Sequence, residues 1–161
     1  MHDGIPFVWP ATMRLAVGRD RSLWIAYDGS YQRPIVHWTT DERLECWVEG
    51  EEAIPGGPLD IEVGMAGRTW VVSMAAVAAY DGMEWRVSPL PYGQLCLAVA
   101  PSGEPWVTGD AGTRRYDGGR WQLADGRAGQ AIGTDRQGGG VWVVGAYTAS
   151  VFHISRDARV E

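Results

Sequence analysis

The amino-acid sequence predicts an all-β fold built from four copies of one short unit. The first observation is a fixed step of 36 residues that relates Trp70, Trp106 and Trp142. The same step relates three further sets of positions: Gly67, Gly103 and Gly139; Val71, Val107 and Val143; Tyr80, Tyr116 and Phe152. The second observation is that no stretch keeps an apolar period of 3.6 residues, so almost no helix is expected. Nine Trp and 22 Gly among 161 residues also fit short strands joined by tight turns.

Each copy contains four strands in the same order, which the third copy shows clearly. A short apolar segment at 97–99 leads through a glycine-bearing turn to a strand that begins at Trp106. A third strand ends at Tyr116, an Asp-Gly hairpin turn follows, and a last strand carries Trp121. Four short strands in about 36 residues match one blade of a β-propeller.

The repeated tryptophans are expected in the core, because a large indole ring fills the wedge-shaped gap between two blades. This expectation covers Trp24, Trp38, Trp70, Trp85, Trp106, Trp121 and Trp142.

A single propeller domain accounts for residues 1–161, since this length supports one core. The four copies are placed at about 11–40, 59–90, 95–126 and 129–161, with an insertion at about 41–58. In the first copy, Trp24 takes the part of Trp70 and Trp38 takes the part of Trp85.

The ends of the chain bear on how the ring closes. Residues 5–10 resemble an outer strand, and we expect this N-terminal strand to complete the last blade, because an open sheet edge invites aggregation. Two closures are open: a four-bladed monomer, or a homodimer in which each chain supplies half of an eight-bladed ring. Blades of this length are more often found in larger rings, which favours the homodimer.

Residues 97–121 resemble two known propeller repeats, the tectonin repeat and the repeat in sensor regions of two-component regulators. The resemblance covers about residues 15–155. It implies a β-propeller and, by analogy, either a lectin-like protein that binds carbohydrate or a sensor of small ligands. The fourth copy departs from the pattern, since His153 stands where an Asp stands in two other copies.

Composition excludes several classes of function. The formal net charge is −6, and all 14 basic residues are Arg, so neither nucleic acid nor a membrane is an expected partner and no P-loop lysine exists. The first residues lack the pattern of a secretory signal, which predicts a cytoplasmic location. The two cysteines, Cys46 and Cys96, are expected to be reduced and buried rather than bridged.

Candidate binding residues lie in the loops that share one face of a propeller, outside the repeat pattern. An aromatic ring beside a carboxylate or guanidinium group suits a sugar or another polar ligand. Ordinary loop chemistry is the competing interpretation of the same residues. The candidates are Trp47, Tyr31, Tyr92, Tyr147, Asp28, Asp110 and Arg127, with Trp47 favoured because it lies in the insertion.

No catalytic motif is present, and the spacing of the acidic residues predicts neither a metal nor a cofactor. Three functions are therefore open. The first is a lectin-like or small-molecule-sensing propeller that binds its ligand at the loop face or channel mouth. The second is a protein-interaction or assembly module. The third is an enzyme that uses acidic residues at the channel mouth, and it ranks below binding.

Overall fold

The computed structural model of the chain describes residues 12–28, 35–47, 55–137 and 139–157. These residues form fifteen β-strands and no helix. Within them there is accordingly no helical segment of the length and apolarity that a membrane crossing requires. The prediction of an all-β chain is confirmed.

The strands form four antiparallel sheets, which we number as blades 1 to 4, and each blade runs in chain order. Blade 1 contains β1 (Thr12–Val17), β2 (Leu23–Asp28), β3 (Ile35–Trp38) and β4 (Leu44–Trp47). Blade 2 contains β5 (Asp60–Val63), β6 (Thr69–Val72), β7 (Ala76–Tyr80) and β8 (Trp85–Pro89). Blade 3 contains β9 (Gln94–Val99), β10 (Pro105–Gly109), β11 (Gly112–Tyr116) and β12 (Trp121–Asp125). Blade 4 contains β13 (Gly129–Thr134), β14 (Val141–Gly145) and β15 (Val151–Ile154).

The Asp-Gly turns predicted from the sequence join the third and fourth strands of blades 2 and 3. In blade 2 the Asp81 carboxylate accepts hydrogen bonds from the backbone N–H groups of Met83 (3.1 Å) and Glu84 (3.2 Å). Gly82 follows with a φ of 100°, a conformation that side chains other than hydrogen disfavour. The aspartate and the glycine thus fix each hairpin by different means.

The blades stack side by side through their innermost strands, β1 on β5, β5 on β9 and β9 on β13. Each gap between neighbouring blades holds one apolar cluster, and a tryptophan of a second strand lies in each cluster. Trp24, Trp70 and Trp106 are 4%, 5% and 0% exposed. These three indoles occupy the gaps as expected. In the described residues no comparable packing joins β13 back to β1.

Two tryptophans that were expected in the core are exposed instead. Trp142 is 50% exposed and Trp38 is 48% exposed. Both lie on the outer side of an end blade, where no described neighbour covers them. The expectation was wrong for these two residues because it assumed that every blade has a neighbour on both sides.

The first blade also corrects the assignment of the first copy. Trp38 lies on β3 opposite Leu23, in the position that Tyr80 holds in blade 2. The fourth strand is β4, which falls inside the segment 41–58, so the prediction of an insertion there was wrong for residues 44–47. The turn before β4 lacks the Asp-Gly pair and contains Glu42 at a φ of 62°, so the repeat signal is lost there.

The predicted N-terminal strand at 5–10 lies outside the described residues. Blade 4 therefore shows three strands in the described part of the chain, in the order β13-β14-β15.

The close approach of β11 to the last residue of β12 gives a test of the packing. Gly112 and Gly118 both have positive φ, 85° and 90°. A Cβ at Gly112 would lie 2.5 Å from the carbonyl oxygen of Asp125, whereas nothing lies within 4 Å of a Cβ at Gly118. Gly118→Ala should lower the free energy of unfolding by about 1–2 kcal/mol through backbone strain alone. Gly112→Ala should cost about 1–3 kcal/mol more, the typical penalty of overpacking. Urea denaturation followed by tryptophan fluorescence measures both, and equal losses would contradict the packing at Gly112.

Candidate functional site

The loops at one end of the blades form a connected surface, which we call the loop face. It comprises the loops 73–75, 90–93, 110–111, 126–128 and 146–150. Backbone hydrogen bonds link the loops that connect blades to the loops within those blades: Gly93 N–H donates to Met74 O (2.9 Å), Asp110 N–H to Gly93 O (2.8 Å) and Ala146 N–H to Ala128 O (3.0 Å). These bonds join the loops 73–75, 90–93 and 110–111 to one another, and they join the loop 126–128 to the loop 146–150.

A glycine in β10 makes the closest of these approaches feasible. A Cβ at Gly109 would lie 1.9 Å from the carbonyl oxygen of Gly93, so only glycine allows the loop 90–93 to lie against the end of β10. Gly93 itself has a φ of 96°. These two glycines bring the residue after β10, Asp110, next to the loop that carries Tyr92.

Three candidate residues lie on this surface, where Asp110 and Tyr147 are in contact and Tyr92 lies on the adjoining loop, and we call Tyr92, Asp110 and Tyr147 the loop-face cluster. The Tyr147 hydroxyl donates a hydrogen bond to Oδ1 of Asp110 (2.9 Å) across the boundary between blades 3 and 4. The Tyr92 hydroxyl donates to the sulfur of Met74 (3.4 Å). Both rings are open to solvent, with Tyr92 70% and Tyr147 81% exposed. The hydrogen bond to the Asp110 carboxylate raises the pKa of Tyr147 above its usual value.

Arg127 lies on a neighbouring loop but is already engaged. Its guanidinium group pairs with the Asp125 carboxylate, with Nη2 2.6 Å from Oδ2, and lies 3.7 Å from the centre of the Phe152 ring. The hydrogen bonds from Arg127 lower the pKa of Asp125. This arrangement holds the loop 126–128 against blade 4.

Trp47 lies apart from the loop-face cluster, on β4 between blades 1 and 2. Its ring centre is 5.6 Å from that of Trp24, 5.2 Å from that of Tyr80 and 5.7 Å from that of Trp85. The ring is half-buried in this aromatic group. Its surroundings are those of a packing residue.

Two further candidates are not part of the loop-face cluster. Asp28 is the last residue of β2, opposite Thr12, and Tyr31 lies outside the described residues.

Sequence reasoning missed a polar row on the innermost strands, formed by Arg14, Asp60 and Cys96, which we call the axial row. Each residue holds the same register position, opposite Ala26, Val72 and Thr108 respectively. Asp60 and Cys96 are separated by the same 36-residue step as the repeated tryptophans, and that step was the available signal.

The axial row links adjacent blades. Nε of Arg14 lies 3.9 Å from Oδ1 of Asp60, and Oδ2 of Asp60 accepts a hydrogen bond from the N–H of Leu97 (2.9 Å). The Cys96 thiol in turn donates to the carbonyl oxygen of Gln130 (3.2 Å). Each contact crosses to the next blade.

The environment of the axial row raises the pKa values of two of its residues, Asp60 and Cys96. Burial raises the pKa of Asp60, although hydrogen bonds from Leu97 and Ile61 and the nearby Arg14 act against it. Burial also raises the pKa of the Cys96 thiol, and the charge of Asp60 adds to that effect. Both cysteines are free, as expected, but Cys46 is exposed and Cys96 is half-buried, so the expectation that they are buried was wrong.

A groove of about 1010 Å³, which we call the rim groove, opens at the end of the blades opposite the loop face. Its lining includes Arg68, Trp70, Tyr116 and Gln122, together with a charged group of three residues, Glu104, Arg115 and Arg156. Those three form one unit, in which the Glu104 carboxylate lies 3.4 Å from Nε of both Arg115 and Arg156. The turns that build this groove lie within the repeat, so nothing in the sequence marked it.

In the described ranges, no group of three or more His, Cys, Asp or Glu side chains is placed to hold a metal ion.

No protein-family model matches this chain, and no curated protein matches it either. Solved structures do resemble it. Virginiamycin B lyase from Staphylococcus aureus superposes with a TM-score of 0.71 at 17% identity, over 91% of this chain and 53% of the lyase chain. The extracellular domain of a hybrid two-component system from B. thetaiotaomicron gives 0.68 at 13% identity, over 89% of this chain and 21% of that one. YCF48 bound to D1 peptide superposes with a TM-score of 0.61 at 15% identity, over 89% of this chain and 48% of the YCF48 chain.

These solved structures are β-propeller proteins. The chain has a β-propeller fold. This confirms the fold predicted from the 36-residue repeat. The propeller spans about half the length of the lyase that it resembles. At these identities the likeness shows the fold alone, so the lectin-like function and the cytoplasmic location stay predictions.

The hydrogen bond within the loop-face cluster is testable by titration. Asp110→Asn removes the negative charge that disfavours the tyrosinate, so the pKa of Tyr147 should fall towards its usual value of 10.0. Ultraviolet difference titration against Tyr147→Phe isolates this one phenol. An unchanged pKa in Asp110→Asn would show that the two side chains do not interact in solution.

The raised pKa of Asp60 predicts a pH dependence of stability with a definite sign. The folded protein holds this proton more tightly than the unfolded chain, whose pKa is near 3.8. The free energy of unfolding should therefore fall as pH rises through 3.8 to the folded value, and this component should vanish in Asp60→Asn.

Asp81, whose pKa is lowered where that of Asp60 is raised, provides the control for Asp60. Backbone hydrogen bonds from Glu84 and Met83 lower the pKa of Asp81, so its contribution is lost as pH falls through the folded value. Urea denaturation at pH values on both sides of 3.8, with Asp60→Asn and Asp81→Asn, separates the two slopes. Slopes of the same sign would contradict the buried environment of Asp60.

Proposed function

We propose that this propeller is a binding module whose loop face takes a small polar ligand, with a sugar as the preferred class. The observation that carries the proposal is the hydrogen bond from Tyr147 to Asp110, which joins two loops from different blades and leaves both aromatic rings of the loop-face cluster exposed. Exposed aromatic side chains on fixed loops are typical of sites that bind by stacking.

The chemistry of the loop-face cluster suits a ligand that has an apolar face and hydroxyl groups. A tyrosine ring stacks on the apolar face of a sugar, and a carboxylate accepts hydrogen bonds from its hydroxyl groups. Tyr147 uses Oδ1 of Asp110, and among the described residues Oδ2 accepts no hydrogen bond. The Tyr92 hydroxyl donates to a thioether sulfur, a weak acceptor that a ligand oxygen can replace.

The departures from the repeat favour one site rather than one per blade. Asp110 corresponds by the 36-residue step to Met74 and Ala146, and Tyr147 corresponds to Ala75 and Ala111. No second pair of this kind therefore occurs at those positions. A stoichiometry of one ligand per chain follows, which differs from a lectin with a pocket in every blade.

A second candidate is the recognition of a protein segment, and the rim groove favours it. The groove combines two aromatic side chains, Trp70 and Tyr116, with the guanidinium groups of Arg68, Arg115 and Arg156. A solved propeller of similar fold is bound to a peptide, which supports this class of partner in general. The two candidates use opposite ends of the molecule and can be separated by mutation.

The experiment is a panel of monosaccharides and disaccharides screened by thermal shift, followed by calorimetry on any sugar that raises the melting temperature. Tyr92→Ala should weaken binding of such a sugar by about 10-fold or more, the cost of about 1–3 kcal/mol expected for one stacking ring. Asp110→Asn should weaken it by a similar factor through the lost charged acceptor.

Glu104→Gln in the rim groove is the matched control, since it removes a carboxylate at the other end of the blades. It should leave sugar binding unchanged. Binding that responds to Glu104→Gln and not to the loop-face variants would move the site to the rim groove, and a panel without any stabilising sugar would reject the sugar as ligand.

A further inference from the structure

The exposed apolar side chains of this propeller are concentrated on two sheet faces. Thirteen large apolar side chains are exposed in the described residues, and seven of them lie on the outward sides of blades 1 and 4. On blade 1 they are Met13, Leu15, Val17, Trp38 and Leu44, which we call the first end face. On blade 4 they are Trp142 and Val151, which together with the half-buried Val144 we call the last end face.

The first end face has the pattern of a blade surface that normally covers another blade. By register, Leu15 and Ile25 of blade 1 correspond to Ile61 and Val71 of blade 2. Ile61 and Val71 are 2% and 0% exposed, because they pack against Trp24 of the preceding blade. Leu15 is 64% exposed, since no preceding blade lies against it in the described residues.

The last end face has the complementary pattern. Trp142 holds the register position of Trp24, Trp70 and Trp106, each of which is at most 5% exposed beneath the next blade. Trp142 is 50% exposed, and its ring packs on His153 of its own blade, with 4.7 Å between ring centres. The Trp142 indole therefore has the position of a packing residue, but no described blade covers it.

We propose that a second copy of this chain covers both end faces, so that Trp142 of each copy packs on the Leu15 side of the other copy's first blade and two chains close an eight-bladed ring. The occupant is a second copy because this chain carries both halves of the missing contact. The contact would continue the same stacking that already joins blades 1 to 2, 2 to 3 and 3 to 4.

Symmetry strengthens the choice of two copies. The two end faces differ from each other, so the contact between them is heterologous, and a heterologous contact either closes into a ring or extends into a filament. In a ring of two chains, both end faces of both copies are covered and no apolar end is left in water. Exposed apolar patches of this kind usually mark an interaction surface.

The first measurement is the mass of the 161-residue chain in solution. Light scattering after size exclusion should give twice the 17.6 kDa of one chain. A mass of 17.6 kDa at all concentrations would overturn the proposal, whether the ends are then open or covered within one chain. Masses above that of two chains would equally overturn the closed ring.

Charged variants locate the contact. Leu15→Glu and Trp142→Glu each place a charge on one end face, and each should raise the dissociation constant of the dimer by about 30-fold or more. Both side chains are at least half exposed in a single chain, so the variants should keep the β-sheet signal in circular dichroism. Met83→Glu is the control, because Met83 is 91% exposed in a turn that belongs to neither end face. A dimer that survives both end-face variants would refute the proposed contact.

Mixing the two variants distinguishes this pairing from a symmetric one. In a ring of one Leu15→Glu chain and one Trp142→Glu chain, one contact contains both changes and the other contact is entirely wild type. The mixture should therefore dimerise more tightly than either variant alone. If instead only one of the two variants loses the dimer and mixing restores nothing, like faces pair with like, and the ring is excluded.

Discussion

The packing of one indole ring between each pair of neighbouring blades is the contact on which this propeller depends. Trp24, Trp70 and Trp106 lie in the three gaps, each almost fully removed from water. A blade has two apolar faces and only four short strands, so it cannot bury its own surface and is stable only against neighbours. The stack fixes the order of the blades, and the order of the blades fixes which loops meet.

The loop face is a consequence of that stack. Because the blades cannot shift relative to each other, loops that are far apart in sequence stay at hydrogen-bonding distance, as Tyr147 and Asp110 do across 37 residues. Both side chains lie in loops, and the stacked blades hold those loops in place. The axial row and the rim groove arise in the same way, from residues of different blades that the stacking brings together. The polar clusters of this fold therefore form where neighbouring blades meet.

Much of the fold was readable from the sequence, because a repeat states the same structural requirement several times. The step of 36 residues predicted the blades and their Asp-Gly hairpins. It failed in blade 1, where Glu42 stands in place of the turn glycine and β4 was therefore not predicted.

The candidate site was harder to predict from the sequence. Tyr92, Asp110 and Tyr147 were predicted as candidates because they break the repeat in loops, whereas Trp47 also breaks it and lies in aromatic packing. Whether an off-pattern ring points outward depends on the neighbouring blade, which the local sequence does not contain. Arg14, Asp60 and Cys96 share one register but differ in chemistry, so a search for identical residues passes over them.

Repetition and function make opposite demands on such a chain. Identical positions in every blade maximise packing, since each blade then fits every other, and this is what the repeated tryptophans provide. A binding site needs groups that differ from one another and converge once, which only departures from the repeat can supply. Asp110 and Tyr147 depart at positions held elsewhere by Met74, Ala75, Ala111 and Ala146, small or apolar side chains that keep the other loops compact. The same division explains Trp142, which keeps the repeated residue while its covering blade is missing from the described chain. A repeated packing residue that is exposed to water indicates an incomplete stack, whereas an exposed residue that departs from the repeat is a candidate for binding.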